Sequence, residues 1–128
     1  MSSWGLHVLD YFLHILHFAV IISNLFLWWF PSTLKTSQIT IVGTLISWLV
    51  CGYFYGWGYC FLTDWQWQVK DKLGEENLPY SYITYLLHKL GIYAIDPRLV
   101  DNIVAVLMIV AIIGCGIQSM RYQNKKAR

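Results

Sequence analysis

The residues best equipped for chemistry lie in one short run. "HVLDYFLHILHF", residues 7–18, carries His7, Asp10, His14 and His17 among residues that are otherwise apolar or aromatic. Neutral imidazole is a good ligand for zinc, copper or haem iron, and a carboxylate can orient such a ring through its second N–H. A helix turns about 100° per residue, so Asp10, His14 and His17 fall at about −60°, −20° and −80° from His7, with Asn24 near −100°. One face therefore holds all four groups, and Asp10 and His14, four residues apart, can meet. His7, His14 and His17 are the candidate metal ligands, with a metal ion or haem as the possible cofactor. Spacing alone does not demand that use, because His14 and His17 are i, i+3 and no HExxH is present. Buried neutral histidines also bridge helices by hydrogen bonds, so packing stands beside a site as the alternative reading.

What must position these groups is a membrane-spanning helix. Of the 128 residues, 57% are hydrophobic and 12% charged, where soluble domains carry roughly a quarter charged. A bilayer core takes about 20 apolar residues per helix. Three segments meet this, at about 6–30, 39–62 and 97–120. The expected fold is an all-α integral membrane protein with three transmembrane helices and an outer cap of two amphipathic helices. Asp96-Pro97 supplies the cap and first residue of the third span. Trp28, Trp29 and the tryptophans from Trp57 to Trp67 lie near span ends, as interfacial aromatics do. The N-terminal run lacks Lys, Arg and a small-residue cleavage site, so it reads as a span and not as a cleaved leader.

Between the second and third spans, "TDWQ" has the spacing of a capping box, Thr63 capping and Gln66 reaching back. A helix is expected over about 64–73, with Trp65, Val69 and Leu73 on one face and Gly74 ending it. A second is expected over about 79–90, with Ile83, Leu86, Leu87 and Leu90 on one face. The stretch 80–95 could instead enter the bilayer as a re-entrant segment or short fourth span, with His88 and Lys89 weighing against full crossing. The second span carries Gly52-x-x-x-Gly56 and Gly58, small residues that let a helix approach. Gly56, Cys60 and Thr63 share a face there, and the histidine face of the first helix is expected to pack on it. That makes Asp10, His14, His17, Cys60 and Thr63 the candidate polar site. Cys60 reads as a thiol ligand or nucleophile, or as an inert small hydrophobe. Thr63 reads as part of the site or as a helix cap. "GCG" at 114–116 and Gln118 read as packing residues of the third span.

Arg121, Lys125, Lys126 and Arg128 cluster at the C-terminus. The positive-inside rule places this tail in the cytoplasm, and three spans then place the N-terminus outside. The expected partners are the lipid bilayer, together with other membrane subunits or further copies of this chain. Nothing resembles the basic, aromatic-laced patch of a nucleic-acid binder. Cys51, Cys60 and Cys115 form no CxxC, which argues against a disulfide framework or thiolate zinc site.

"LDYFLHILHF" followed by "GWGYCFLTDWQ" resembles a family of small bacterial membrane proteins, domain of unknown function 2784. In that family an Asp precedes a His by seven residues in the first helix, as Asp10 and His17 do. The second helix ends in Cys-Pro-Leu-Thr, then two residues and Glu. Cys60, Leu62 and Thr63 match, while Phe61 replaces the proline and Gln66 the glutamate. "YITYLL", with Ile83 and Tyr85, is similar to a later stretch. The resemblance implies a small helical protein of the bacterial inner membrane and no particular activity. The functional readings are a scaffold or accessory subunit of a membrane complex, a metal- or haem-binding redox or hydrolytic protein, and a proton relay or transporter subunit.

Overall fold

The computed structural model describes residues 2–56 and 58–127. Trp57 and Arg128, two of the residues singled out above, lie outside the described residues. The elements are α1 (Ser3–Phe26), α2 (Leu34–Leu45), α3 (Gly52–Tyr55), α4 (Phe61–Lys72), α5 (Tyr82–Lys89) and α6 (Pro97–Ala127), with no strand among the described residues. A π-helical stretch, Ile46–Cys51, joins α2 to α3, and short 3₁₀ turns at Leu27–Trp29 and Pro31–Thr33 join α1 to α2. Three helical stretches are long and apolar enough to cross a membrane: Ser3–Trp29, Pro31–Tyr55 and Pro97–Ala127. The chain is thus an all-helical membrane protein. α5, at eight residues, is about 12 Å long, far short of the roughly 30 Å hydrocarbon core.

The second helical stretch ends earlier than the expected residue 62. Gly56 and Gly58 take φ of 116° and 83°, a left-handed region that glycine enters without the Cβ penalty other residues meet. Helix geometry stops there and restarts at Phe61. Gly56, Cys60 and Thr63 therefore do not share one helix face. Thr63 sits inside the first turn of α4 and not at its cap.

Packing divides into two units: the N-terminal residues through His17 with Phe61–Val104, and Phe18–Cys60 with the residues from Ala105 onward. In the second unit, Leu34 and Ile41 of α2 are buried with Met108, Ala111 and Cys115 of α6. The i, i+3, i+7 spacing of the last three gives α6 one packed face. Ile109, Val110, Ile113 and Ile117 are exposed, as suits side chains that face lipid tails. Hydroxyls and amides add a polar seam. Ser37 Oγ donates to the Ser23 carbonyl at 2.9 Å, Ser23 and Thr40 hydroxyls meet at 2.7 Å, and Asn24 Nδ2 donates to Thr44 Oγ1 at 2.8 Å. Gln38 Nε2 donates to Ser119 Oγ at 2.6 Å, and Gln118 Nε2 to the Trp29 carbonyl at 3.3 Å.

Gly114 is where α6 lets another side chain closest in. A Cβ there would lie 2.5 Å from the Trp28 ring. Gly114→Ala is expected to destabilise the protein by about 1–3 kcal/mol, the usual cost of overpacking. Trp28→Leu in the same chain removes the clashing ring. Unfolding in mixed micelles should therefore show the double variant less destabilised than the sum of the two single ones.

Candidate functional site

The first unit is organised around the polar face of α1. Asp10 and His17 are buried there, and α4 turns Leu62, Thr63, Gln66, Val69 and Lys70 toward the interior. Apolar periodicity groups Trp65 with Val69 and Leu73 on one face; in the structure Val69 is buried, Trp65 is 53% exposed and Gln66 is fully buried. The physical reason is the carboxylate. A buried Asp10 requires a charge partner and hydrogen-bond donors, and Lys70 and Gln66 on one face of α4 supply them. α5 likewise packs through Tyr82 and Tyr85, while Leu90, which periodicity groups with Ile83, Leu86 and Leu87, is 76% exposed. Ser81 caps α5, its hydroxyl accepting from the Thr84 N–H.

Lys70 is the centre of charge. Its Nζ lies 3.1 Å from Asp10 Oδ2 and 3.2 Å from Glu75 Oε2, with its side chain only 3% exposed. Burial by itself would lower the pKa of this ammonium. Hydrogen bonding to Tyr85, Asp10 and Glu75, with the charge of Asp10, outweighs burial and raises it above the ordinary lysine value. Burial also pushes the Tyr82 hydroxyl up to about 12.

Gln66 connects the carboxylate to the histidine. Its Nε2 donates to Asp10 Oδ1 at 3.1 Å, and its Oε1 faces His17 Nδ1 at 3.3 Å. A carboxylate can only accept, so the amide orientation is set. The carbonyl oxygen then requires the proton of His17 on Nδ1. Nε2 of that neutral ring accepts from the Thr63 hydroxyl at 3.2 Å. The Tyr82 ring stacks on His17 with centroids 3.8 Å apart and planes 7° apart. His14 Nδ1 pairs with the Tyr82 hydroxyl at 2.8 Å, and its Nε2 is 3.8 Å from Asp10 Oδ1.

Asp10, His14, His17 and Thr63 are thus brought together. Cys60 is half-buried and belongs to the other unit. His7 is exposed. The three histidines are not gathered as a ligand set: among the described residues no group of three or more His, Cys, Asp or Glu side chains could hold a metal ion. His17 has both ring nitrogens engaged with protein groups, and His14 has Nδ1 engaged. Thr63, His17 and Gln66 follow the order of nucleophile, base and orienting group. A neutral amide, however, does not stabilise an imidazolium as a carboxylate would, and Thr63 is only 6% exposed. The arrangement holds helices together better than it activates a hydroxyl.

Sequence reasoning missed Lys70, Glu75, Tyr82 and Tyr85, and treated Gln66 as a cap. One signal was available for Lys70. An aspartate in an apolar helix calls for a cation, and Lys70 lies four residues past Gln66 and seven past Thr63, on their face of α4.

The two charges are expected to respond unequally to mutation. Asp10→Asn leaves Lys70 paired with Glu75 and is expected to cost about 1–3 kcal/mol. Lys70→Met leaves the buried Asp10 without its ammonium and is expected to cost more, about 3–5 kcal/mol. Denaturant titration in micelles compares them, and an Asp10→Asn variant weaker than Lys70→Met contradicts the charge arrangement. Alkaline pH should act in the same direction on two groups. Lys70 and Tyr82 both hold their protons more tightly when folded. Their contribution is complete below the unfolded values, about 10 for Tyr and 10.4 for Lys. It falls as pH rises from there toward the raised folded values. Melting temperature should hold up to about pH 10 and fall above it, and Lys70→Met should flatten the fall.

No curated protein and no solved structure matches this chain. A family model does: the one described as protein of unknown function DUF2784 matches residues 7–118. The match covers α1 from His7 onward, with Asp10 and His17, and α4, with Thr63, Gln66 and Lys70. By that match, over most of its length, the chain belongs to the DUF2784 family.

Proposed function

We propose that this protein is a non-catalytic helical subunit of a membrane assembly, in which the Asp10–Lys70–Gln66–His17 network makes a rigid polar module. The observation that carries this reading is the engagement of those polar groups with one another. Asp10 receives bonds from Lys70 and Gln66, and His17 is bonded at both nitrogens. Such pairing favours a positioning role over one that must present a free ligand or base. Gln66 stands in the line between Asp10 and His17, and an amide offers no titratable proton for a relay. The one packed face of α6 and the exposed apolar residues beside it suit a thin bundle that gains further neighbours in the bilayer. Its place is a bacterial inner membrane, with the N-terminus outside and the basic end of α6 in the cytoplasm, as positive-inside bias favours.

The test is the size of the particle at native abundance. Membranes holding the protein at its natural level are solubilised in a mild detergent and run under native conditions. The expected result is an assembly larger than one 15.0 kDa chain with its detergent belt, retained by the Asp10→Asn/Lys70→Met double variant. Elemental analysis of the purified protein accompanies it. A monomer at native abundance overturns the subunit reading. So does near-stoichiometric iron, zinc or copper lost in His14→Ala and His17→Ala, which moves a metal-binding redox or hydrolytic role to the front.

A further inference from the structure

Beside the polar network lies a cavity of about 280 Å³ bordered by Glu75, Glu76, Tyr85, His88, Lys89 and Tyr93. Ligand pockets commonly span about 300–1,000 Å³, so this one suits a small polar group and not a lipid tail. The charges lining it are two carboxylates and one ammonium, with the buried Lys70 ammonium behind Glu75. Glu75 Oε2 is buried 3.2 Å from Lys70 Nζ, and Oε1 is 3.8 Å from Lys89 Nζ. The longer contact, from Oε1 to Lys89, is the one a ligand ammonium can replace. Lys89 is 60% exposed on a flexible stem and can turn toward an anion. The Tyr85 ring already attracts cations, with Lys70 Nζ 4.9 Å and Lys89 Nζ 5.4 Å from its centroid. His88 stacks on Tyr93, ring centroids 4.9 Å apart.

The surroundings point to the bilayer surface. Leu90, Ile92, Tyr93 and Ile95 are all exposed, although apolar or aromatic. They lead within two residues to Pro97, where the α6 span begins. Exposed aromatic and aliphatic side chains beside a span belong at headgroup level. Tyr93 is part of that run and also borders the cavity.

We propose that this cavity binds an aminoethyl phosphate group, as carried by a zwitterionic phospholipid. The ammonium meets Glu75, Glu76 and the faces of Tyr85 and Tyr93, where hydrogen bonding and cation–π attraction both apply. The phosphate meets Lys89, with the His88 ring as a second donor. Two acids and one base around a small cavity complement a cation joined to an anion. An anionic headgroup without an amine would face both glutamates.

Native mass spectrometry of the full chain, stripped of lipid in detergent, tests this. The probes are phosphatidylethanolamine, phosphatidylcholine, phosphatidylglycerol and free phosphoethanolamine. One phosphatidylethanolamine is expected per chain, at least about tenfold tighter than phosphatidylglycerol, the scale of one lost charge-assisted contact. Phosphatidylcholine should be weaker, since its methylated nitrogen cannot donate to Glu75. Glu76→Gln and Tyr93→Ala, both at exposed positions, should reduce retention several-fold with the melting temperature unchanged. Binding of free phosphoethanolamine as tight as the lipid identifies a soluble ligand of the same chemistry, and binding of the lipid alone identifies the bilayer as its source. Equal retention of phosphatidylglycerol, or full retention in both variants, overturns the proposal.

Discussion

The ion pair of Asp10 with Lys70 is the interaction on which the first unit depends. A carboxylate buried in an apolar helix costs several kcal/mol unless it is paired and hydrogen-bonded. Lys70 supplies the pairing at 3.1 Å and Gln66 the added donor. Both come from α4, one turn apart, so that helix must present its polar side to α1. Lys70 also reaches Glu75, just beyond the end of α4. The Glu75 N–H in turn bonds the Lys70 carbonyl at 3.0 Å. One ammonium thereby ties a buried carboxylate to the turn that ends its own helix.

The amide at position 66 fits this arrangement for a reason of valence. It must donate to Asp10 and accept from His17 at once, and a glutamine does both. A glutamate there would set a second negative charge against Asp10 and lose the donated bond. Phe61 and Gln66 therefore contribute in different ways. Phe61 opens α4, its ring against Trp65 at 5.2 Å. Gln66 alters the electrostatics of the buried centre.

The aromatic residues of α5 complete the enclosure. Tyr82 covers the His17 ring, and Tyr85 lies beneath two ammonium groups. The Trp67 indole donates to the Pro79 carbonyl at 2.7 Å, which fixes the turn between α4 and α5. The faces of α4 and α5 that pack are thus chosen by hydrogen-bonding capacity and ring stacking. Apolar periodicity, which groups Trp65 with Val69 and Leu90 with Leu86, does not by itself say which side chains pack in a small module whose buried surface is largely polar and aromatic.

Composition and run length by themselves determined the all-helical membrane character, because a bilayer admits few other ways to satisfy the backbone. The 100° period likewise determined that Asp10, His14 and His17 share one face, since that depends only on position along one helix. The partners of that face were decided by tertiary structure. Lys70 and Gln66 stand 60 and 56 residues from Asp10, and no local period connects them. The break at Gly56 and Gly58 was equally hidden in an apolar run that reads as one continuous helix. It is this break that frees Phe61–Lys72 to form a separate helix and carry Thr63 to the histidine. Local spacing reports what can share a face, and the need to neutralise a buried charge decides which distant residue comes to it.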